Sequence, residues 1–216
     1  NYESIKKINP QIVALSSTAQ GQSGPHSGAP AYGPNLTSLS GFTNITGWPD
    51  REPMSPTGAY SDFISPPFAV AAILAALDYR SKTGKGQYFD LSQFEVCTQF
   101  LAPLFLDWFT NNNDAERNGN SSAIAVPHAA YPCKGNDKWC VIAIFTDAQW
   151  HAFCRVSNHP EWLNDGRFIT LAARKSNEDE LNKLIAAWTV DFAAGDVMNL
   201  LQWADIAAGV VKSPEE

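Results

Sequence analysis

The run from Phe68 to Leu77 contains no polar side chain and five alanines. A helix built from it is apolar nearly all round, so it is expected to lie buried, with the small alanines letting neighbours approach closely. The run is well short of the ~20 residues a helix needs to cross a bilayer, so no membrane role is expected. Ser65 is a candidate N-cap and Pro66 a candidate first helical residue, because proline fits where its missing N–H would be unpaired anyway. Thr83-Gly84-Lys85-Gly86 stops the helix.

The rest of the chain alternates between strand and helix signals. Residues 2–8 read as a helix closed by Asn9-Pro10. Ile12 to Ser16 is a short apolar run between turn signals, as expected of a buried strand in a parallel sheet. Gln20 to Pro34 holds four Gly and three Pro and reads as a loop after that strand, where open α/β sheets place ligand crevices. Asn35 to Phe42 reads as a short helix ended by Gly41, Gln87 to Leu91 as a strand, and Ser92 to Phe109 as a helix kinked at Pro103. Residues 111–123 are polar. Trp139 to Phe145 reads as a strand, and Asp147 is expected to cap a helix reaching Val156. Further helices are expected from Asn177 to about Phe192 and from Val197 to Asp205. The fold class is therefore α/β, with a large domain over 1–110, a linker over 111–128 and a smaller α/β domain over 129–216.

Seven Trp and twelve Phe argue against disorder. A net charge of −7 excludes a chain that coats nucleic acid, since that role needs a basic surface. The four cysteines form no C-x-x-C pair, and the four histidines are scattered, so no metal site is expected. Free thiols and the lack of a signal-peptide pattern point to a cytoplasmic setting. Asn35, Asn44 and Asn120 begin glycosylation sequons by chance. The chain opens at Asn1 without methionine, and both ends read as cuts through a longer protein.

Asp62 is the most suggestive polar residue. It lies where a loop meets the apolar helix, with no basic neighbour in sequence. One reading is a helix-capping aspartate. The other is a nucleophile held ionised in a dry pocket by free N–H groups and the helix dipole. Asp90 and Asp107 are weaker candidates.

Several tracts resemble family III coenzyme A transferases. Ile12 to Ser16 followed by Gly21-Gln22-Ser23-Gly24-Pro25 is similar to that family's strand and glycine-proline loop. Further similar tracts are Ser40-Gly41-Phe42, Thr46-Gly47-Trp48-Pro49-Asp50 with Pro53, and Ile73 to Leu77 followed by Arg80. Lys82 to Gln87, Asp90-Leu91-Ser92, Pro127-His128, Tyr131-Pro132-Cys133, Asp137-Lys138-Trp139, Asp147 to Trp150 and Asp165-Gly166-Arg167-Phe168 complete the set.

The resemblance implies part of a Rossmann-like large domain followed by the small domain, and an interlocked homodimer in the full-length protein. It implies an acyl-CoA:carboxylate CoA-transferase in which Asp62 forms an aspartyl-CoA thioester. Acyl-CoA and a carboxylic acid are the expected partners. The coenzyme A thioester is a substrate, and no permanently bound cofactor is expected. Tyr32, Gln22 and Gly119 are the implied CoA- or substrate-binding residues, Gly119 marking the glycine flap that shields the intermediate. An ionised aspartate needs no general base at neutral pH. α-Methylacyl-CoA racemases share the fold but pair the aspartate with a histidine thirty residues earlier. Tyr32 stands there instead, which favours the transferase pattern. A third possibility is a non-catalytic fragment that needs a companion chain. Two departures from the family pattern stand out: Ser65-Pro66-Pro67 replaces a glycine-bearing tract, and the flap has a single glycine.

Overall fold

The computed structural model describes residues 1–56 and 58–216. These fall into two compact units, Asn1–Gly119 and Asn120–Glu216, each with its own sheet. The division falls inside the 111–128 stretch expected as a linker; its first half is mostly exposed but hydrogen-bonded to the first unit, and its last residues are buried in the second. Arg117 Nη1 donates to the Asn44 carbonyl at 2.8 Å and the Gly119 N–H to the Gly47 carbonyl at 2.8 Å, both within the first unit. Ala125 and Val126 are fully buried in the second, where the Val126 N–H donates to the Ile144 carbonyl at 3.0 Å. Polar composition signals a lack of regular structure, but it does not prevent backbone groups from finding partners elsewhere.

In the first unit, α1 (Tyr2–Ile8) precedes β1 (Val13–Thr18), which pairs in parallel with β2 (Gln87–Ser92) from Val13↔Gln87 to Thr18↔Ser92. Adjacent parallel strands need a crossover. Here it contains α2 (Gly33–Leu39), α3 (Phe42–Ile45) and α4 (Tyr60–Thr83). Gly41, at φ 104°, makes the break between α2 and α3. A Cβ on Gly86 would lie 2.0 Å from the Ile12 carbonyl oxygen, so only glycine fits where the chain enters β2 beside β1.

The expected helix over 92–109 is two helices, α5 (Gln93–Phe100) and α6 (Ala102–Asn111). Ser92 caps α5 by accepting the Glu95 N–H at 3.2 Å. Pro103 has no N–H to give the Gln99 carbonyl, and Leu101 leaves helical geometry between the two helices.

α4 departs from expectation in three ways. It starts at Tyr60, so Pro66 and Pro67 sit inside it and Ser65 is no cap; the Ser65 hydroxyl instead donates to the Ser61 carbonyl at 2.7 Å. With proline four residues on, the Asp62 and Phe63 carbonyls lack their usual helical donors. Including its first turns, the helix is long and apolar enough, by length and composition, to cross a membrane. It is also largely exposed: of its described residues only Ser61, Ser65 and Ala76 are buried, while Phe63 is 72% and Leu74 61% exposed. An all-apolar helix needs neighbours on every side, and within this chain α4 packs chiefly on α2, α5, β1 and β2.

The second unit has an antiparallel sheet of β3 (His128–Pro132), β4 (Trp139–Ala143) and β5 (Ala207–Val211), with β4 in the middle. Against it pack α7 (Asp147–Val156), a 3-10 turn (Pro160–Leu163), α8 (Leu171–Ser176), α9 (Glu178–Thr189) and α10 (Ala194–Trp203). Thr146, not Asp147, caps α7, accepting the Gln149 N–H at 3.2 Å. The core is aromatic: Trp150 stacks on Phe153 and Trp162 and meets Phe168 edge-on.

All four cysteines are free and buried. Burial pushes each thiol up, Cys140 to about 11 and Cys154 to about 12 from an ordinary 9.0. A thiol with a raised pKa in the folded state binds its proton more tightly there than when unfolded. Its contribution to stability is present below pH 9 and is lost as the pH climbs toward 11–12. The thermal midpoint of the second unit is therefore expected to fall across that window. At pH 8 the native thiols are expected to resist a disulfide reagent until denaturant is added; rapid native labelling of Cys140 or Cys154 would contradict this burial.

Candidate active site

The loop before α4 ends at Ala59, whose carbonyl accepts the Asp62 N–H at 2.9 Å and closes the first turn. Asp62 is thus the third residue of the helix, within its first turn. A negative charge is favoured there. Among the described residues its carboxylate makes no hydrogen bond or ion pair, so its lone pairs are uncommitted.

The weaker candidates are committed. Asp107 accepts from the side-chain amides of Asn111 and Asn113, both at 2.6 Å, and these bonds hold its carboxyl below the usual range. Asp90 accepts the Gln22 N–H at 2.8 Å and so ties the loop after β1 to β2. Asp62 itself is exposed, so the dry pocket expected around it is not formed by this chain. The capping reading also fails in its strict form: the N-cap position is Ala59, which offers no side-chain acceptor.

Tyr32 comes to the same place from another element. It is the N-cap residue of α2, with an extended backbone and a side chain 68% exposed. Its neighbour Gly33 packs against the start of α4, where an ideal Cβ would lie 2.7 Å from Asp62 Oδ2. The Ser61 hydroxyl donates to the Gly33 carbonyl at 3.3 Å, joining the two helix starts. Beneath them Cys97 of α5 is fully buried. Desolvation raises its thiol pKa, a bond with the Ser40 side chain opposes that, and the negative charge of Asp62 adds to the rise.

The structure therefore brings together Asp62 and the Tyr32–Gly33 corner. Gln22 is bound to Asp90, and Gly119 at φ 59° lies against the Trp48 ring; neither is hydrogen-bonded to Asp62. Gly33, Ser61 and Cys97 escaped the sequence reading. Gly33 carried no signal of its own, being one of four glycines in the loop over 20–34, and the fold alone sets its contact with the start of α4. Among the described residues no group of three or more His, Cys, Asp or Glu could hold a metal ion.

Comparison with known proteins gives this geometry a context. The chain is 33% identical over 224 residues to the probable CoA-transferase Rv1866 of Mycobacterium tuberculosis, an alignment covering 100% of this chain and 28% of that protein. It is 28% identical over 216 residues to the succinate–glutarate CoA-transferase of Agrobacterium fabrum, covering 100% and 54%. With the succinyl-CoA:glutarate CoA-transferase of Mus musculus it shares 31% identity over 212 residues, covering 98% and 48%. The crystal structure of a CAIB/BAIF family protein from Brucella suis superposes with a TM-score of 0.90 at 29% identity, covering 99% of this chain and 56% of that one. The chain spans about half the length of most of these relatives, and less of the first. Residues 1–216 match the family described as CoA-transferase family III throughout, and the chain belongs to that family.

Proposed function

We propose that the full-length protein is an acyl-CoA:carboxylate CoA-transferase with Asp62 as its nucleophile. The observation that carries this reading is an uncommitted carboxylate in the first turn of α4, beside the Tyr32–Gly33 corner, in a chain that matches family III throughout.

One Asp62 oxygen attacks the thioester carbonyl carbon, the C–S bond breaks, and the coenzyme A thiolate leaves a mixed anhydride. The thiolate then attacks the aspartyl carbonyl, releasing the donor acid as its carboxylate and forming an aspartyl-CoA thioester. The acceptor carboxylate attacks that thioester and expels the thiolate. The thiolate in turn attacks the acceptor half of the new anhydride, giving the product thioester and restoring Asp62. Every bond broken is an acyl bond of high transfer potential, so the exchange needs no ATP. Splitting the transfer into covalent steps lowers each barrier.

Tyr32, exposed at the corner, is placed to line the coenzyme A path, with Gln22 and Gly119 as further contacts. The relatives are named for succinate, glutarate, oxalate and D-citramalate, which supports a short dicarboxylate as acceptor. The open flank of α4 and the exposure of Asp62 support a site completed by the rest of the protein and by an interlocked second copy. We read that apolar flank as covered by protein, not lipid, and the large unit as part of a Rossmann-like domain. The four buried free thiols support a cytoplasmic setting.

The test is isotopic. The full-length protein is given succinyl-CoA and labelled glutarate, oxalate or citramalate, and label is expected in the coenzyme A ester without any nucleotide. No transfer across a panel of acyl-CoA and dicarboxylate pairs would sink the proposal. Solvent deuterium at the acyl α-carbon would assign a racemase instead.

A further inference from the structure

We infer that Gly33 is a positioning residue for the Asp62 carboxylate, an inference that rests on Asp62 being the nucleophile. The first residue of α2 is seated so closely against the turn before α4 that a Cβ there would lie 2.3 Å from Ala59 Cβ, 2.6 Å from Ala59 Cα and 2.7 Å from Asp62 Oδ2. Carbon atoms do not approach a backbone or a carboxylate oxygen this closely, so something would have to move. The carboxylate occupies space that any other residue at position 33 would claim, and the bare glycine backbone forms one wall of its site.

That wall is fixed. Gly33 is buried, and its carbonyl accepts from the Thr37 hydroxyl at 2.9 Å and the Ser61 hydroxyl at 3.3 Å. Both donors are fully buried, and Ser61 immediately precedes Asp62. The Ser65 hydroxyl, nearly as buried, donates in turn to the Ser61 carbonyl at 2.7 Å. A carboxylate with no hydrogen bond of its own is thereby aimed by the packing of two helix starts. This matters because a nucleophile displaced by about 1 Å can lose about a hundredfold in rate.

Gly33→Ala is compared in the wild-type full-length protein and in an Asp62→Ala background. The fall in thermal midpoint caused by Gly33→Ala is expected to be smaller once the carboxylate is gone; equal falls in both backgrounds would overturn the contact. In the Asp62-bearing protein, kcat is expected to drop about a hundredfold while KM for acyl-CoA stays within about twofold. An unchanged kcat would overturn the positioning role. If Gly33→Ala gives no soluble protein, Ser61→Ala carries the test by removing one hydroxyl from the clamp. It is then expected to lower kcat about tenfold with KM unchanged, and an unaltered kcat would overturn the inference. The stability coupling does not depend on Asp62 being a nucleophile. Full transfer activity in Asp62→Asn alongside a clear coupling would therefore remove the proposed chemistry and leave the contact standing.

Discussion

Asp62→Asn is expected to lower CoA transfer by about 10³-fold or more while leaving the fold almost untouched. The two effects separate because of where the residue sits. The carboxylate is exposed and makes no hydrogen bond among the described residues, so the amide breaks no network. The stability change comes only from losing a charge in the first turn of a helix, about 1 kcal/mol or less. Catalysis loses the atom that forms the covalent bond, and removing such an atom is costly beyond any binding effect. Steady-state transfer and a thermal melt on the same preparation check both halves. An Asp62→Asn protein that melts normally yet keeps more than about a tenth of its activity would contradict the assignment.

Arg174→Met is expected to do the opposite, destabilising the second unit with no direct effect on chemistry. Arg174 is fully buried in α8. Its Nε donates to the Val126 carbonyl at 3.2 Å, Nη1 to the Phe168 carbonyl at 3.1 Å and Nη2 to Asp147 Oδ1 at 2.8 Å, and the guanidinium lies 5.0 Å from the Trp150 ring. Asp147 is 61% exposed and can be hydrated when its partner is lost, so the ion pair itself accounts for little of the effect. The larger loss is two carbonyls left without donors in the core, each worth about 1–3 kcal/mol, together with the packing over Trp150. A total of about 3–5 kcal/mol is expected, read as a lower urea midpoint by tryptophan fluorescence. Asp147→Asn should cost about 1 kcal/mol or less. If the two variants proved equally destabilising, the ion pair would be the main term and the carbonyl account would be wrong.

How much of this was legible in the sequence depends on what each element rests on. β1 was visible because a short apolar run between turn signals leaves few alternatives, and β1 and β2 were each placed within two residues of their observed bounds. β5 was missed because Ala207-Ala208-Gly209 has neither bulk nor alternation; it is a strand because β4 offers it a ladder. The start of α4 was misplaced because Pro66 reads locally as a first helical residue. The turn before it is helical all the same, and its Ser61 hydroxyl is bonded to the Gly33 carbonyl of α2. The burial of α4 was misjudged for another reason: apolarity states what a helix needs, while exposure depends on which neighbours are present.

At the site, Asp62 and Tyr32 were legible through family resemblance, and their meeting through Gly33 was not. That contact joins residues 29 apart in sequence by the absence of an atom, and no side-chain pattern announces a missing Cβ. Gln22 could be found as part of a glycine-proline loop. Its bond to Asp90, 68 residues away, depends on the parallel register of β1 and β2.

The most direct measurement is the mass of the peptide that carries Asp62. Full-length protein is incubated with succinyl-CoA, quenched with hydroxylamine, digested and fragmented. A hydroxamate on Asp62, dependent on succinyl-CoA and missing from Asp62→Asn, is the expected result. Turnover-competent protein with unmodified Asp62, or with the label on another residue, would contradict the covalent mechanism.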